Sequence, residues 1–312
     1  MTRRVYIEGS LAYDRIFSFP GQFAKHIDPK KLHVLSLSFA VERAYERRGG
    51  TAGNIAYSLS LLGKRSYLLG VVGNDFAPYR AWLTAQGISM QYVEIMKDDL
   101  TAQANIFTDR DDNQLAGFVI GAMMQPLRKA LPIFKKHDII HIAPGNKTDM
   151  LRIARAAAKR AVPYIFDPGQ QLPTFHTTEL RRMISGAGMV IVNDYELGLL
   201  LKHAKLSRMA LLGKVGTLVT TFGPHGSEFA SRKNLMRIPA VRVAKAVDPT
   251  GAGDAYRAGL IYGLLEDFAP EKLGRLAATV AAYAVEKHGT QEHHFTFAAL
   301  QRRYKQQFKT SL

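Results

Sequence analysis

Short apolar runs rich in β-branched residues alternate along this chain with longer stretches in which apolar positions recur every three or four residues. The short runs are VYIEG (5–9), SYLLGVVG (66–73), DIIHIAP (138–144), PYIFDP (163–168), MVIVN (189–193) and TLVTTFG (217–223). They are apolar on both faces, as strands covered from two sides must be. TAGNIAYSLSLLG (51–63), PYRAWLTAQG (78–87), MLRIARAAAKR (150–160) and DYELGLLLKHA (194–204) carry the helical period. The alternation predicts an α/β fold, with a mostly parallel sheet between helices. Residues 251–310 read as nearly all helical.

Two segments depart from this rhythm. Residues 12–48 hold strand-like pieces (YDRIFSF, HVLSLSFAVERAYE) where a first crossover helix belongs. Residues 101–120 read as a hairpin turning at Asp111, Asp112 and Asn113. Both alternate apolar and polar positions, as a small sheet with one wet face does. They predict a discontinuous β-lid (12–48 and 101–120) on an α/β core formed by 1–11, 49–100 and 121–312.

Composition narrows the class. The chain has 312 residues, 47% hydrophobic and 22% charged, which suits a folded globule and excludes long disorder. It has no cysteine, so disulfides and thiolate metal sites are excluded. The start, MTRRVYIEGS, lacks the apolar core of a signal peptide, and no apolar run approaches the ~20 residues of a membrane helix. A cytoplasmic protein is expected. The formal charge of +16 raises nucleic-acid binding, but the basic residues are scattered through helical stretches without an aromatic-interleaved motif. No dedicated nucleic-acid groove is expected; such a surface equally speeds the encounter of an anionic small molecule.

Candidate chemistry gathers in four places. In DPTGAGDAYRAG (248–259), Gly251, Ala252 and Gly253 precede Asp254 where a helix begins. The stretch is neither a Walker A loop nor a dinucleotide fingerprint. Small residues let N–H groups converge beside the positive pole of the helix, making an anion hole. A carboxylate at its edge can take a proton from a hydroxyl, at an ordinary pKa of about 3.9. A tight turn with an aspartate near a helix start accounts for the same letters. In RRGGTAGNIAYSLSLLG (47–63), Gly50 permits close backbone approach, and Asn54 stands one turn into an otherwise apolar helix. GSLAYD (9–14) ends a strand ahead of Asp14, and in NDYE (193–196) Asn193 and Glu196 are three apart at another strand end. That pair reads either as a water-bridged Mg²⁺ site or as a capping box.

These motifs, with GVVGNDF (70–76) and TFGPHG (221–226), resemble the PfkB, ribokinase-like family of small-molecule kinases along nearly the whole chain. FPGQF, LHVLSLSF, DPGQQL, GDAYRAG and GTQEH bring the resemblance nearest to its bacterial adenosine kinases. The resemblance implies a three-layer αβα core with a lid, ATP and Mg²⁺, and room for a monovalent cation such as K⁺ near His225 or EKHG (286–289). It implies phosphorylation of the adenosine 5′-hydroxyl in purine salvage, with a sugar kinase acting on ribose or another furanose, or another purine nucleoside kinase, as alternatives. Asp254 is then the base and 251–253 the anion hole. Asp14, Asn54 and the Gly50 backbone hold the ribose diol, and Ser10, Ser38, Gln170, Gln171 and Phe118 serve the base. Asn193, Thr221, Gly223 and Gly226 serve ATP, and Glu196 the metal. Ala104 stands where relatives place a second aromatic ring, and Phe107 is the available substitute. The lid's open face could also pair two copies.

Overall fold

A computed structural model of the chain describes residues 3–27, 38–111 and 113–312. Residues 28–37, which include the start of the HVLSLSFAVERAYE stretch, and Asp112 lie outside that description. The six anticipated strands form as β1 (Val5–Glu8), β4 (Ser66–Val72), β8 (Ile139–Ile142), β9 (Tyr164–Phe166), β10 (Ala187–Asn193) and β11 (Thr217–Thr221). Each pairs parallel to its neighbours among them. Three strands were not anticipated: β5 (Ser89–Ile95) at one edge, and β12 (Ser227–Ala230) with β13 (Leu235–Ile238) as an antiparallel hairpin at the other. The nine strands run β13-β12-β11-β10-β9-β8-β1-β4-β5. The free edge at β5 is partly closed by Lys129, whose Nζ donates to the Val93 carbonyl at 2.7 Å.

Alternate residues of β1 point into two separate cores. Val5 and Ile7 join the core that packs α1 (Thr51–Leu61), α2 (Ala77–Ala85), α7 (Ala252–Leu265), α8 (Pro270–Val285) and α9 (Phe297–Phe308). Tyr6 joins the core built on α3 (Lys147–Ala158), α4 (Thr177–Gly186), α5 (Asp194–Ala204) and α6 (Arg208–Leu212). A sheet buried on both faces makes the three layers that the patterning demands. Strand order reverses around β1, so its carboxyl end opens where such folds place ligands. Among the described residues no helix is long and apolar enough to cross a membrane.

The lid segments form a separate four-stranded sheet in the order β3 (Arg43–Gly49), β2 (Ala12–Ser18), β6 (Ala102–Thr108), β7 (Gln114–Val119). It is mixed: β2 runs parallel to β6 and antiparallel to β3. Register places Arg47, Asp14, Ala104 and Phe118 in one row, hence on one face. Phe107 has the opposite parity and lies on the other face. There its ring stacks on Phe17 at 4.7 Å and meets Phe39 edge-on at 5.7 Å. It therefore cannot stand in for an aromatic at position 104. The expectation of a single wet face also needs correcting, because all six residues of β7 are exposed.

Candidate active site

Helix α7 starts from Gly251, whose φ of 77° is left-handed and whose Cβ would lie 3.1 Å from the Thr290 side chain. A side chain there would strain the turn and push against the 290 segment. Ala252 donates its N–H to the Pro249 carbonyl at 3.1 Å, so it drops out of the expected anion hole. Among the described residues no hydrogen bond engages the N–H groups of Gly251, Gly253 and Asp254. Three free donors at the positive end of a 14-residue helix remain for an anion.

Two residues brace this cradle. Asp248 accepts from the N–H groups of Thr250 and Gly289, both at 2.9 Å, which ties the loop to the segment after α8. Beneath it, Arg257 donates from Nη1 to the Gly253 carbonyl at 3.1 Å. Its Nε and Nη2 form a bidentate pair with buried Asp167, the Nη2–Oδ1 bond being 2.7 Å. Burial acts to raise Asp167, but the Arg257 charge and the hydrogen bonds from His141 and Arg257 prevail and hold it down at about 2. A fixed ion pair thus forms the floor of the site.

Asp254 is half-buried, and its Oδ2 accepts from Asn54 Nδ2 at 2.8 Å. Desolvation pushes its carboxyl up to about 6, restrained by Arg257 and Asn54 and reinforced by the charges of Asp167 and Asp14. The ordinary value expected from sequence is thus corrected upward by burial. Asn54 has the reason its position demanded: it is 4% exposed and reaches 200 residues along the chain to hold this carboxylate.

Asp14 is close enough for its charge to act on Asp254. Burial raises its own carboxyl to about 6, with Arg47 pulling it down and Asp248 pushing it up. The close packing around Asp14 and Ser10 depends on glycine. A Cβ on Gly49 would fall 2.6 Å from Asp14 Oδ2, and one on Gly50, where φ is 85°, 2.5 Å from the Ser10 carbonyl. The Ser10 hydroxyl accepts from Thr51 N–H at 3.0 Å and pairs with Thr51 Oγ1 at 3.1 Å, so it serves the start of α1.

On the neighbouring strand ends, Asn193 and Glu196 make a reciprocal capping box: Glu196 N–H donates to Asn193 Oδ1 at 2.7 Å, and Asn193 N–H to Glu196 Oε2 at 2.8 Å. The cap uses one Glu196 oxygen, and burial raises its pKa. Asn193 is in register with Thr221. Gly223 and Gly226 turn the chain directly after, both with positive φ, and a Cβ on Gly226 would sit 2.1 Å from the Ile238 carbonyl. Of the residues assigned to a base, Phe118 is 53% exposed in the row of Asp14. Gln170 and Ser38 are exposed, and Gln171 Oε1 accepts from Thr174 Oγ1 at 3.2 Å. Among the described residues, no hydrogen bond joins Ser38, Gln170, Gln171 or Phe118 to the Asp254 cluster. Two surface hollows of about 510 and 550 Å³, sharing Arg65, Thr84 and Ile88, lie away from these residues.

Sequence reasoning did not single out Asp248, Asp167, Arg257 or Gln291. Asp167 and Arg257 stand in stretches that carried the resemblance, but 90 positions apart, with nothing local to pair them.

Comparison with known proteins bears on the family and the fold. The family described as pfkB family carbohydrate kinase matches residues 26–295. The solved structure of a Burkholderia thailandensis nucleoside kinase in complex with inosine superposes with a TM-score of 0.87 at 38% identity, covering 98% of this chain and 99% of that one. A Methanocaldococcus jannaschii nucleoside kinase is 32% identical over 256 residues, 81% of this chain and 84% of its own. An ATP-dependent ribose-1-phosphate kinase of Halopiger xanaduensis is 27% identical over 248 residues, 77% of this chain and 81% of its own.

Proposed function

The chain belongs to the pfkB family of carbohydrate kinases, phosphotransferases with a hydroxyl acceptor, and from that premise we propose that it moves the γ-phosphate of ATP to the 5′-hydroxyl of a purine nucleoside. Adenosine is the leading acceptor. The observation that carries the reading is the Asp254 carboxylate, raised to about 6, beside three unbonded N–H groups at the start of α7. At pH 7 it is ionised yet more basic than an ordinary aspartate, which suits removal of an alcohol proton. The N–H groups of Gly251, Gly253 and Asp254 face the charge on the moving phosphoryl group, where positioned donors supply much of the catalysis.

The ribose is gripped from its other edge. Asp14 accepts from the 2′- and 3′-hydroxyls. Asn54 turns its Oδ1 to Gln291 and one Nδ2 hydrogen to Asp254, which leaves the second Nδ2 N–H to donate to the sugar. Asn193, Thr221, Gly223 and Gly226 border the nucleotide. Among the described residues no group of three or more His, Cys, Asp or Glu is placed to hold a metal. A half-exposed Glu196 with one oxygen outside its cap fits a hydrated Mg²⁺ carried on the phosphates. Such an ion would supply charge neutralisation for the transfer.

A second reading, a purine nucleoside kinase that also accepts inosine, is favoured by the lid. The row Arg47–Asp14–Ala104–Phe118 offers a purine one ring instead of two, which weakens selection between bases. The solved relative holding inosine points the same way. ADP release on adenosine, inosine, guanosine, cytidine and ribose with ATP and Mg²⁺ tests the proposal. Purine nucleosides should lead in kcat/KM. Ribose leading would replace the reading with a sugar kinase, and tight ATP binding without turnover on any acceptor would make the chain a nucleotide-binding regulator.

Asp14→Ala should raise the nucleoside KM about 10- to 100-fold, what hydrogen bonds to an ion are worth, with a smaller effect on kcat. Steady-state kinetics with adenosine checks it. An unchanged KM removes Asp14 from the diol.

A further inference from the structure

Behind Asn54 lies a chain of polar groups whose direction is forced by chemistry. Trp82 Nε1 donates to Gln291 Oε1 at 3.2 Å, and an indole N–H can only donate. The Gln291 amide therefore turns its NH₂ toward Asn54, where Nε2 donates to Oδ1 at 3.0 Å. The other Nε2 hydrogen goes to the Tyr79 hydroxyl, which in turn donates to the Gly49 carbonyl at 2.9 Å. A carbonyl can only accept, so the second branch fixes the same polarity. With its oxygen spoken for, Asn54 must present its NH₂ to Asp254, at 2.8 Å. Gln291 is 4% exposed with both amide ends matched. Its segment is anchored over the α7 start by Thr290, whose Oγ1 donates to the Arg48 carbonyl at 2.8 Å.

We propose that Gln291 is a positioning residue for the phosphoryl transfer: the relay Trp82–Gln291–Asn54 holds the Asn54 amide with its N–H on Asp254, keeping that carboxylate ionised and aimed. The inference rests on the functional reading above. Without the relay, the Asn54 amide is free to turn its oxygen onto the carboxylate, and two acceptors in contact favour the protonated acid. The charged groups acting on Asp254 are Arg257 of α7, Asp167 beyond β9 and Asp14 of β2, with Arg47 and Asp248 acting in turn on Asp14. Replacing Gln291 by a neutral residue changes none of them, so a shift in protonation reports the relay.

The test is Gln291→Met, close in size and without a donor. The nucleoside KM should rise by no more than about 10-fold, the worth of the single Asn54 contact to the sugar, kcat should fall about 10- to 100-fold, and the acid limb of the kcat profile should move up by about one pH unit. Trp82 is the sole tryptophan, so its emission reports independently that the relay is cut. A folded variant with wild-type kcat and an unmoved acid limb overturns the proposal, whatever the emission does. If Gln291→Met does not fold, Trp82→Phe removes the donor that sets the polarity and leaves the atoms at Asp254 in place. It should move the acid limb in the same direction with a loss of about 3- to 10-fold, and an unmoved limb overturns the proposal. If the wild-type chain turns over no nucleoside, the functional reading fails separately. The Asp254 carboxyl carbon shift followed against pH by NMR then decides the relay, and equal midpoints in wild type and variant overturn it.

Discussion

Replacing Asp254 with Asn should lower kcat about 10³-fold while leaving the nucleoside KM within about 3-fold. In the proposed reaction the residue contributes a lone pair to the proton in flight. Asn preserves its shape and its contact with Asn54 and removes only basicity. Stability should move the opposite way. The folded pKa of about 6 lies above the ordinary ~3.9, so the unfolded chain releases this proton first. Folding stability therefore declines as pH rises from about 4 to about 6, and the ionised group remains a cost above that. Asp254→Asn removes the cost, so above pH 6 the variant should melt higher than the parent. A large loss of kcat with an unchanged or raised Tm marks a catalytic base. Near-normal kcat would remove Asp254 from that role, and a lowered Tm would make the residue a structural one.

Asp167→Asn should cost about 3 to 5 kcal/mol of folding stability, the penalty for leaving a buried charge without its partner. The uncompensated group is Arg257, 8% exposed, whose guanidinium lies under Gly253. Burial works against that charge while Asp167 raises its pKa, so it stays protonated at any working pH and cannot escape the loss by neutralising. A double replacement with apolar residues of similar volume should be far milder, because it removes both desolvation costs together. The pH signature is distinct from that of Asp254. Asp167 is depressed to about 2, so its contribution is complete above about pH 4 and is lost as pH falls toward 2. Urea unfolding of the parent and both variants measures these differences. A single-variant loss below about 1 kcal/mol would mean that the pair is solvated in solution.

Local patterning made the frame of this protein readable and left the long-range polar partners hidden. The six runs such as MVIVN and TLVTTFG announce strands because burial on both faces leaves few alternatives to continuous apolar sequence. Edge strand β5, SMQYVEI, was missed because one side of it is wet and it mixes polar with apolar positions. The hairpin β12–β13 (SEFA and LMRI) carries four residues per strand, each run interrupted by a charged residue, so it shows neither a continuous apolar run nor a period. Asn193 and Glu196 admitted two readings, and the capping box does form, because three residues' separation at a helix start satisfies backbone donors first.

The site shows the same division. Glycines beside Asp254 mark the proposed anion hole, yet only the fold reveals that Pro249 claims the Ala252 N–H. Asn54 is conspicuous as a buried amide in an apolar helix, but its partners Asp254 and Gln291 are 200 and 237 positions away. The face of Phe107 follows from counting: it is an odd number of residues from Ala104, so in a strand it must point the other way.

The claim at the centre is that a nucleoside presents its primary alcohol to Asp254 while Asp14 holds the diol. Determining which oxygen carries the new phosphate tests it most directly. Adenosine or inosine is incubated with ATP, Mg²⁺ and the purified protein, and the product is resolved by phosphorus–proton correlation NMR. The account predicts a 5′-monophosphate formed one-for-one with ADP. Phosphate on the 2′- or 3′-oxygen, or ADP released without a phosphorylated nucleoside, would contradict it.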